Sequence, residues 1–148
     1  MPKASVKRNI NKKKDKLIEF VLDIEKYPEF IPFCLGSKVY ERKKEGDLIL
    51  IIADLTIGKG PFSDTYKSDV RYNKKKDTIF VTNIDGPLNH LENKWFFRNK
   101  GQNTEISFDI NFEIENKFLN IIMTKSFQFG LNKIADAFHK RAKDLQPH

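Results

Sequence analysis

The sequence predicts an α+β fold in which an antiparallel sheet carries helices on one face. A short strand and an amphipathic helix come first, about six strand segments joined by tight turns follow, and a long amphipathic helix comes last. Tight turns join antiparallel neighbours, so the helices at the two ends of the chain must cover the sheet. No repeat, low-complexity stretch or linker interrupts the 148 residues, which predicts a single domain over 1–148.

The N-terminal segments predict a strand, a helix and an irregular stretch. Alternating apolar residues over 4–11 indicate a short strand, and Asn11 is placed to cap the helix that follows. Apolar residues at helical spacing predict this amphipathic helix over 14–24. The next segment, 27–34, holds two prolines four residues apart, so it is expected to form a short helical turn and then a loop.

Alternation between apolar and polar residues predicts the strands. It is strictest from Thr104 to Ile114, which indicates a strand with one solvated face. Together with the segments between turn residues, this gives six strands, at 37–44, 48–57, 62–72, 78–84, 88–98 and 104–114. Steps of three and four residues then predict the long final helix, with an apolar face made of Phe127, Leu131, Ile134, Phe138, Ala142 and Leu145.

Composition excludes several classes of protein. The longest wholly apolar run has six residues, whereas a membrane-spanning helix needs about 20. One cysteine, Cys34, cannot build a disulfide scaffold, and no secretory signal precedes the domain, so we expect a cytoplasmic protein. No catalytic motif surrounds Cys34, His90, His139 or His148, and no group of residues has metal-ligand spacing. We therefore expect neither an enzyme nor a metal or cofactor site.

A family resemblance rests first on the segment Val21–Cys34. Its core, Tyr-Pro-Glu-Phe-Ile-Pro-Phe-Cys, resembles the motif of the coenzyme Q-binding and ribosome association toxin family of START-like proteins, within the polyketide cyclase/dehydrase superfamily. Phe33 stands where that family usually has tryptophan. The later matching pieces occur in the same order, at Gly86–Leu91, Trp95–Phe97, Phe112–Ile114, Asn116, Leu119, Ala137–Phe138 and Arg141–Ala142.

The resemblance implies a helix-grip fold, in which a curved antiparallel sheet wraps around the long C-terminal helix and leaves a lipid-sized tunnel. It implies two alternative functions. One is binding of ubiquinone (coenzyme Q) or a similar polyprenyl lipid as a chaperone for respiration, with the lipid as ligand rather than cofactor. The other is binding to the large ribosomal subunit, which blocks subunit association.

The candidate ligand site combines the irregular segment with the predicted tunnel wall. The segment supplies Tyr27, Pro28, Phe30, Ile31, Pro32 and Phe33, and we expect the Tyr27 hydroxyl to donate a hydrogen bond to a quinone carbonyl. Taken alone, each wall residue fits an ordinary hydrophobic core equally well. The candidate wall residues are Trp95, Phe97, Phe108, Phe112, Phe127, Leu131, Ile134 and Phe138.

The charge of the chain is concentrated at its N-terminus. The net charge is +7, yet residues 1–16 carry a net +6 and the other 132 residues only +1. This basic edge can attract the anionic headgroups of the inner membrane or ribosomal RNA phosphates, or it can be a solvated edge enriched in lysine by AT-rich codons. A DNA partner is not expected. The candidate docking residues are Lys7, Arg8, Lys12, Lys13, Lys14 and Lys16.

Overall fold

The computed structural model of the chain describes residues 3–31, 34–59, 62–85, 88–114 and 132–144. Helix α1 (Lys14–Leu22) and a 3-10 helix (Ile24–Glu29) follow the first strand, and the described part of a second helix, α2, covers residues 132–144. The predicted order of elements is therefore confirmed for the described residues. The strands are β1 (Lys3–Ile10), β2 (Cys34–Glu45), β3 (Leu48–Lys59), β4 (Phe62–Asn73), β5 (Thr78–Asp85), β6 (Leu88–Lys100) and β7 (Asn103–Ile114).

The strands form one antiparallel sheet in the order β1-β7-β6-β5-β4-β3-β2. Consecutive strands from β2 to β7 are neighbours, and β1 pairs with β7, so the first strand lies beside the last. Gly46 and Gly101 turn the chain at φ +61° and +65°, in the left-handed region that glycine adopts without strain. Register shifts after Cys34 and Val39 mark irregularities that bend β2. The curved sheet thus has a concave face for the helices to cover.

Alternation in the strands and helical spacing in α1 bury one face of each element in a common core. Ile51 and Ala53 of the sheet are fully buried, and Leu17 of α1 is 1% exposed. From α2, Phe138 and Ala142 join the same cluster. Burying a side chain of leucine or phenylalanine size contributes about 1.5–3 kcal/mol, so this shared cluster holds the helices on the concave face.

The start of α1 differs from the prediction that Asn11 caps it. The helix begins after Lys13, and no side chain caps it. The backbone N–H of Lys12 donates to the carbonyl of Ile10 at 2.8 Å, so a tight turn separates β1 from the helix and leaves Asn11 two residues before the N-cap position, Lys13. The helix itself begins at Lys14, as predicted. Lys14, whose positive charge opposes the helix dipole, is compensated by the Asp77 carboxylate at 2.8 Å.

Candidate functional site

An apolar cleft lies between the concave face of the sheet and the two helices. Its cavity is about 30 Å³, roughly the room that one or two water molecules need. Among the described residues that line it, Arg8 is the single charged one, so this part of the wall offers a ligand mainly apolar surface. The lining residues are Val6, Arg8, Ile10, Leu17, Phe20, Val21, Trp95, Ile106, Phe108, Ile134, Ala135 and Phe138.

Phe138 of α2 is the centre of the aromatic packing beside this cleft. The centroid of its ring lies 5.4 Å from that of Phe20, 5.6 Å from Tyr27 and 5.3 Å from Phe30. Trp95 of β6 approaches the same ring at 5.4 Å. Edge-to-face contacts at these distances are favourable because the positive edge of one ring faces the negative face of another. One α2 side chain therefore connects α1, the 3-10 helix and the sheet.

The Tyr27 hydroxyl has a hydrogen-bond acceptor within the protein. It donates a hydrogen bond to the backbone carbonyl of Val21, at the end of α1. Burial raises the pKa of this hydroxyl above its ordinary value. The hydroxyl that is predicted to donate to a quinone carbonyl thus has an acceptor within the chain, and donation to a quinone stays a prediction. This hydrogen bond holds the 3-10 helix against α1. Pro28 lies inside the 3-10 helix and has no backbone N–H to donate.

The other predicted residues of the irregular segment have separate environments. Phe30 is half-buried and stacks on Phe20 with a centroid distance of 5.2 Å, while the guanidinium of Arg141 lies 5.1 Å from its ring centroid. Ile31 packs against the core, and Pro28 is exposed. The segment thus joins α2 and α1 at one end of the cleft. Two of its predicted members, Pro32 and Phe33, lie outside the described residues.

Four of the predicted wall residues surround the cleft, and a fifth lies beside it. Trp95, Phe108, Ile134 and Phe138 line it, and the Trp95 and Phe108 rings are 4.4 Å apart between centroids. Phe97 is buried in the core and stacks parallel to Trp95. The backbone of Phe112 pairs with Leu91 in the sheet. The Phe112 side chain and the residues Phe127 and Leu131 lie outside the described part of the structure.

The six basic residues predicted for docking do not form one exposed patch. Lys12 is only 5% exposed. Arg8 forms an ion pair with Asp136 of α2 at 3.0 Å. Lys14 is held by Asp77, whose hydrogen bond raises the pKa of the lysine. The members of the set that remain on the surface are Lys7, Lys13 and Lys16, the last within 3.7 Å of Glu19.

Two of the residues considered for catalysis, Cys34 and His90, contact neighbouring polar groups. Burial raises the pKa of the Cys34 thiol, which disfavours the nucleophilic thiolate, and the thiol donates to the Gly36 carbonyl. Nε2 of His90 lies 2.7 Å from Oδ1 of Asn111, on the adjacent strand. Within the described ranges, no cluster of three or more His, Cys, Asp or Glu side chains could hold a metal ion. Nor do those ranges contain a helix long and apolar enough to span a membrane.

Three polar residues on the inner face of the sheet were not predicted as site residues: Ser37, Tyr66 and Asn93. Asn93 alternates with Leu91 and Trp95 in β6, so the periodicity that directed Trp95 inward also directs Asn93 inward. Tyr66 packs against Leu91 from β4. An inward polar residue within an apolar alternation is the signal that could have identified them.

Comparison with known proteins is consistent with this geometry. The sequence model of a family described as "Polyketide cyclase / dehydrase and lipid transport" matches residues 11–139. The ribosome association toxin RatA of Rickettsia prowazekii is 29% identical over 136 residues, 90% of each chain. The mitochondrial coenzyme Q-binding protein COQ10 of Dictyostelium discoideum is 33% identical over 84% of this chain and 61% of its own length.

Solved structures with the same fold cover almost the whole chain. The solution structure of an 18 kDa protein from Caulobacter crescentus has a TM-score of 0.80 and 25% identity, and the match covers 97% of both chains. The Zhui aromatase/cyclase from Streptomyces sp. R1128 has a TM-score of 0.75 over 95% of this chain and 93% of its own, at 11% identity, and so bears on the fold alone. With its curved sheet and C-terminal helix in the START-like helix-grip arrangement, this chain belongs to the polyketide cyclase/dehydrase and lipid transport family, in the group that contains the coenzyme Q-binding and RatA proteins.

Proposed function

We propose that this protein binds ubiquinone or a similar polyprenyl lipid between the sheet and α2 and carries it without chemical change. The observation that carries the proposal is the apolar cleft, in which Arg8 is the one charged residue within the described part of the lining. An isoprenoid tail requires a continuous apolar wall, and aromatic side chains such as Trp95 and Phe108 can contact a quinone ring. The buried thiol of Cys34 and the paired His90 support binding rather than catalysis.

Ligand entry requires the walls of the cleft to separate. A cavity of about 30 Å³ is far smaller than the roughly 300–1,000 Å³ of ligand pockets in general. Four residues that border it are only half-buried: Phe20, Phe108, Ile134 and Ala135. Moving them exposes less buried apolar surface to solvent than moving the strands of the sheet would. We infer that α2 moves away from the sheet when a lipid enters.

Trp95 provides a direct test because it is the only tryptophan and lies in the cleft wall. Decylubiquinone is expected to quench its fluorescence in a saturable manner, since a quinone is an efficient acceptor for an excited indole at contact distance. N-acetyltryptophanamide titrated with the same quinone is the control for collisional quenching and light absorption that do not depend on this site. Organic extraction of the purified protein followed by mass spectrometry should recover a prenyl lipid. If extraction yields no lipid and quenching does not saturate, the proposed function is wrong.

The lipid must be exchanged with a membrane, and the surface lysines of the basic edge are suited to anionic headgroups. Lys7, Lys13 and Lys16 would each contribute roughly 1 kcal/mol near such a surface. The protein is thus expected to bind vesicles that contain anionic lipid more tightly than neutral ones. Substituting the three lysines with glutamine should remove that difference and leave decylubiquinone quenching in solution intact.

A second candidate function, binding to the large ribosomal subunit, is favoured by the RatA proteins to which the chain is similar. The same lysines could contact ribosomal RNA phosphates. Sucrose-gradient sedimentation of ribosomes with added protein tests this function. It predicts that the protein migrates with the large subunit and that free subunits increase at the expense of 70S particles. Unchanged profiles without co-migration would exclude it.

A further inference from the structure

Asn93 is a polar residue in an otherwise apolar row across the concave face of the sheet. The pairing of neighbouring strands from β3 to β7 forms a row of directly opposed residues that includes Asn93. The row is Ile51, Val70, Val81, Asn93 and Ile110. Residues that pair directly across an antiparallel ladder project to the same face. Ile51 and Val70 are buried in the core, so this row projects inward. The Asn93 amide therefore lies on the inner wall of the fold.

The amide of Asn93 has no role in the described structure that explains its position. Its Oδ1 atom is buried and has no hydrogen-bond partner in the part of the chain that the structure describes. Asn83 provides a contrast on the neighbouring strand, because its Oδ1 accepts the backbone N–H of Leu91 at 3.0 Å and so links β5 to β6. A buried amide without a partner is unfavourable for folding, whereas an apolar residue at the same place would not be. A group that enters from outside the chain can satisfy it.

Two hydroxyl groups lie on the same inner face. Leu55 of β3 pairs with Ser37 on one side and with Tyr66 on the other, and Leu55 packs against the core. The Ser37 Oγ atom is buried and has no hydrogen-bond partner among the residues described. The Tyr66 ring packs against Leu91, and among the described residues no group hydrogen-bonds its hydroxyl. We call Ser37, Tyr66 and Asn93 the polar wall.

We propose that the polar wall receives the oxygen-bearing ring of the bound lipid, while the apolar tail extends past Trp95 toward α2. This inference rests on the proposed lipid-binding function and specifies which end of the lipid the protein recognises, namely the ring that carries oxygen atoms. Hydroxyl and amide groups both donate and accept hydrogen bonds, so the polar wall can pair with the ring carbonyls of a quinone or the ring hydroxyls of a quinol. Trp95 follows Asn93 by two residues on the same face of β6, which continues the path from polar ring to apolar tail.

Two substitutions test the polar wall with little change in shape. Tyr66→Phe and Asn93→Leu are each expected to weaken decylubiquinone binding about tenfold, measured by quenching of Trp95 fluorescence. Decylbenzene has the same chain on a ring without oxygen, and its affinity, measured by displacement of decylubiquinone, should not change. Tyr40→Phe is the matched control, because this exposed hydroxyl lies 2.5 Å from Asp54 on the outer face.

The outcomes separate this inference from the function on which it rests. Wild-type protein that binds neither compound would contradict lipid binding itself. Wild-type binding that Tyr66→Phe and Asn93→Leu leave unchanged, or that they reduce equally for decylbenzene, would overturn the polar wall alone. Urea unfolding checks that the variants are folded, and Asn93→Leu should be at least as stable as the wild type. That last result would show that the amide does not serve the fold.

Discussion

Replacing Phe138 with alanine is expected to lower the free energy of unfolding by about 3–5 kcal/mol. The ring makes edge contacts with Phe20, Tyr27, Phe30 and Trp95 at centroid distances of 5.3 to 5.6 Å. Deleting it opens a hole where α2 meets α1, the 3-10 helix and β6, and none of these elements can close the hole without losing its other contacts. Urea unfolding followed by circular dichroism measures the loss.

Phe96→Ala is the matched control, because Phe96 is 45% exposed on the opposite face of β6 from Trp95. The same chemical change there should cost roughly 1 kcal/mol or less. Phe138→Leu should lie between the two. Equal losses for Phe138→Ala and Phe96→Ala would mean that the ring does not hold α2 on the sheet, and the packing described here would be wrong.

Substituting Ala135 with phenylalanine is expected to weaken decylubiquinone binding about tenfold or more. Ala135 lies on α2, lines the cleft and packs against Val6 of β1. A ring at this position occupies the space into which a lipid would enter. Overpacking a core position costs about 1–3 kcal/mol. A ligand that must displace the new ring loses a similar amount of binding free energy, which corresponds to about tenfold or more in affinity. Quenching of Trp95 fluorescence gives the dissociation constant.

Lys140→Phe adds a ring to the exposed side of the same helix and should leave the affinity unchanged. Ala135→Leu is a smaller version that preserves the fold if phenylalanine proves too large. Full affinity in a folded Ala135→Phe protein would place the ligand elsewhere and would contradict entry between α2 and the sheet.

Periodicity in the sequence was sufficient to predict the secondary structure and its layers. The predicted strand 104–114 lies within β7 (Asn103–Ile114), because alternation is a local property of side chains on a pleated strand. Helical spacing predicted α1 in the same way, although its cap depended on a turn that the pattern did not contain. Four of the twelve described lining residues were also predicted, among them Trp95 and Phe138, which their own elements direct inward.

For the described residues, the sequence by itself thus determined the order of elements, the faces they bury and three aromatic residues of the cleft, Trp95, Phe108 and Phe138. Only the tertiary structure decided how the polar groups are used. Arg8 pairs with Asp136 across 128 positions of sequence, and Lys14 with Asp77 across 63. The Tyr27 hydroxyl has its partner in Val21, while Asn93 has none for its buried oxygen. The burial of an apolar residue depends on the face of the helix or strand that it occupies, and local periodicity sets that face. A hydrogen bond or ion pair instead requires a partner at about 3 Å, and only the folded chain brings that partner into place.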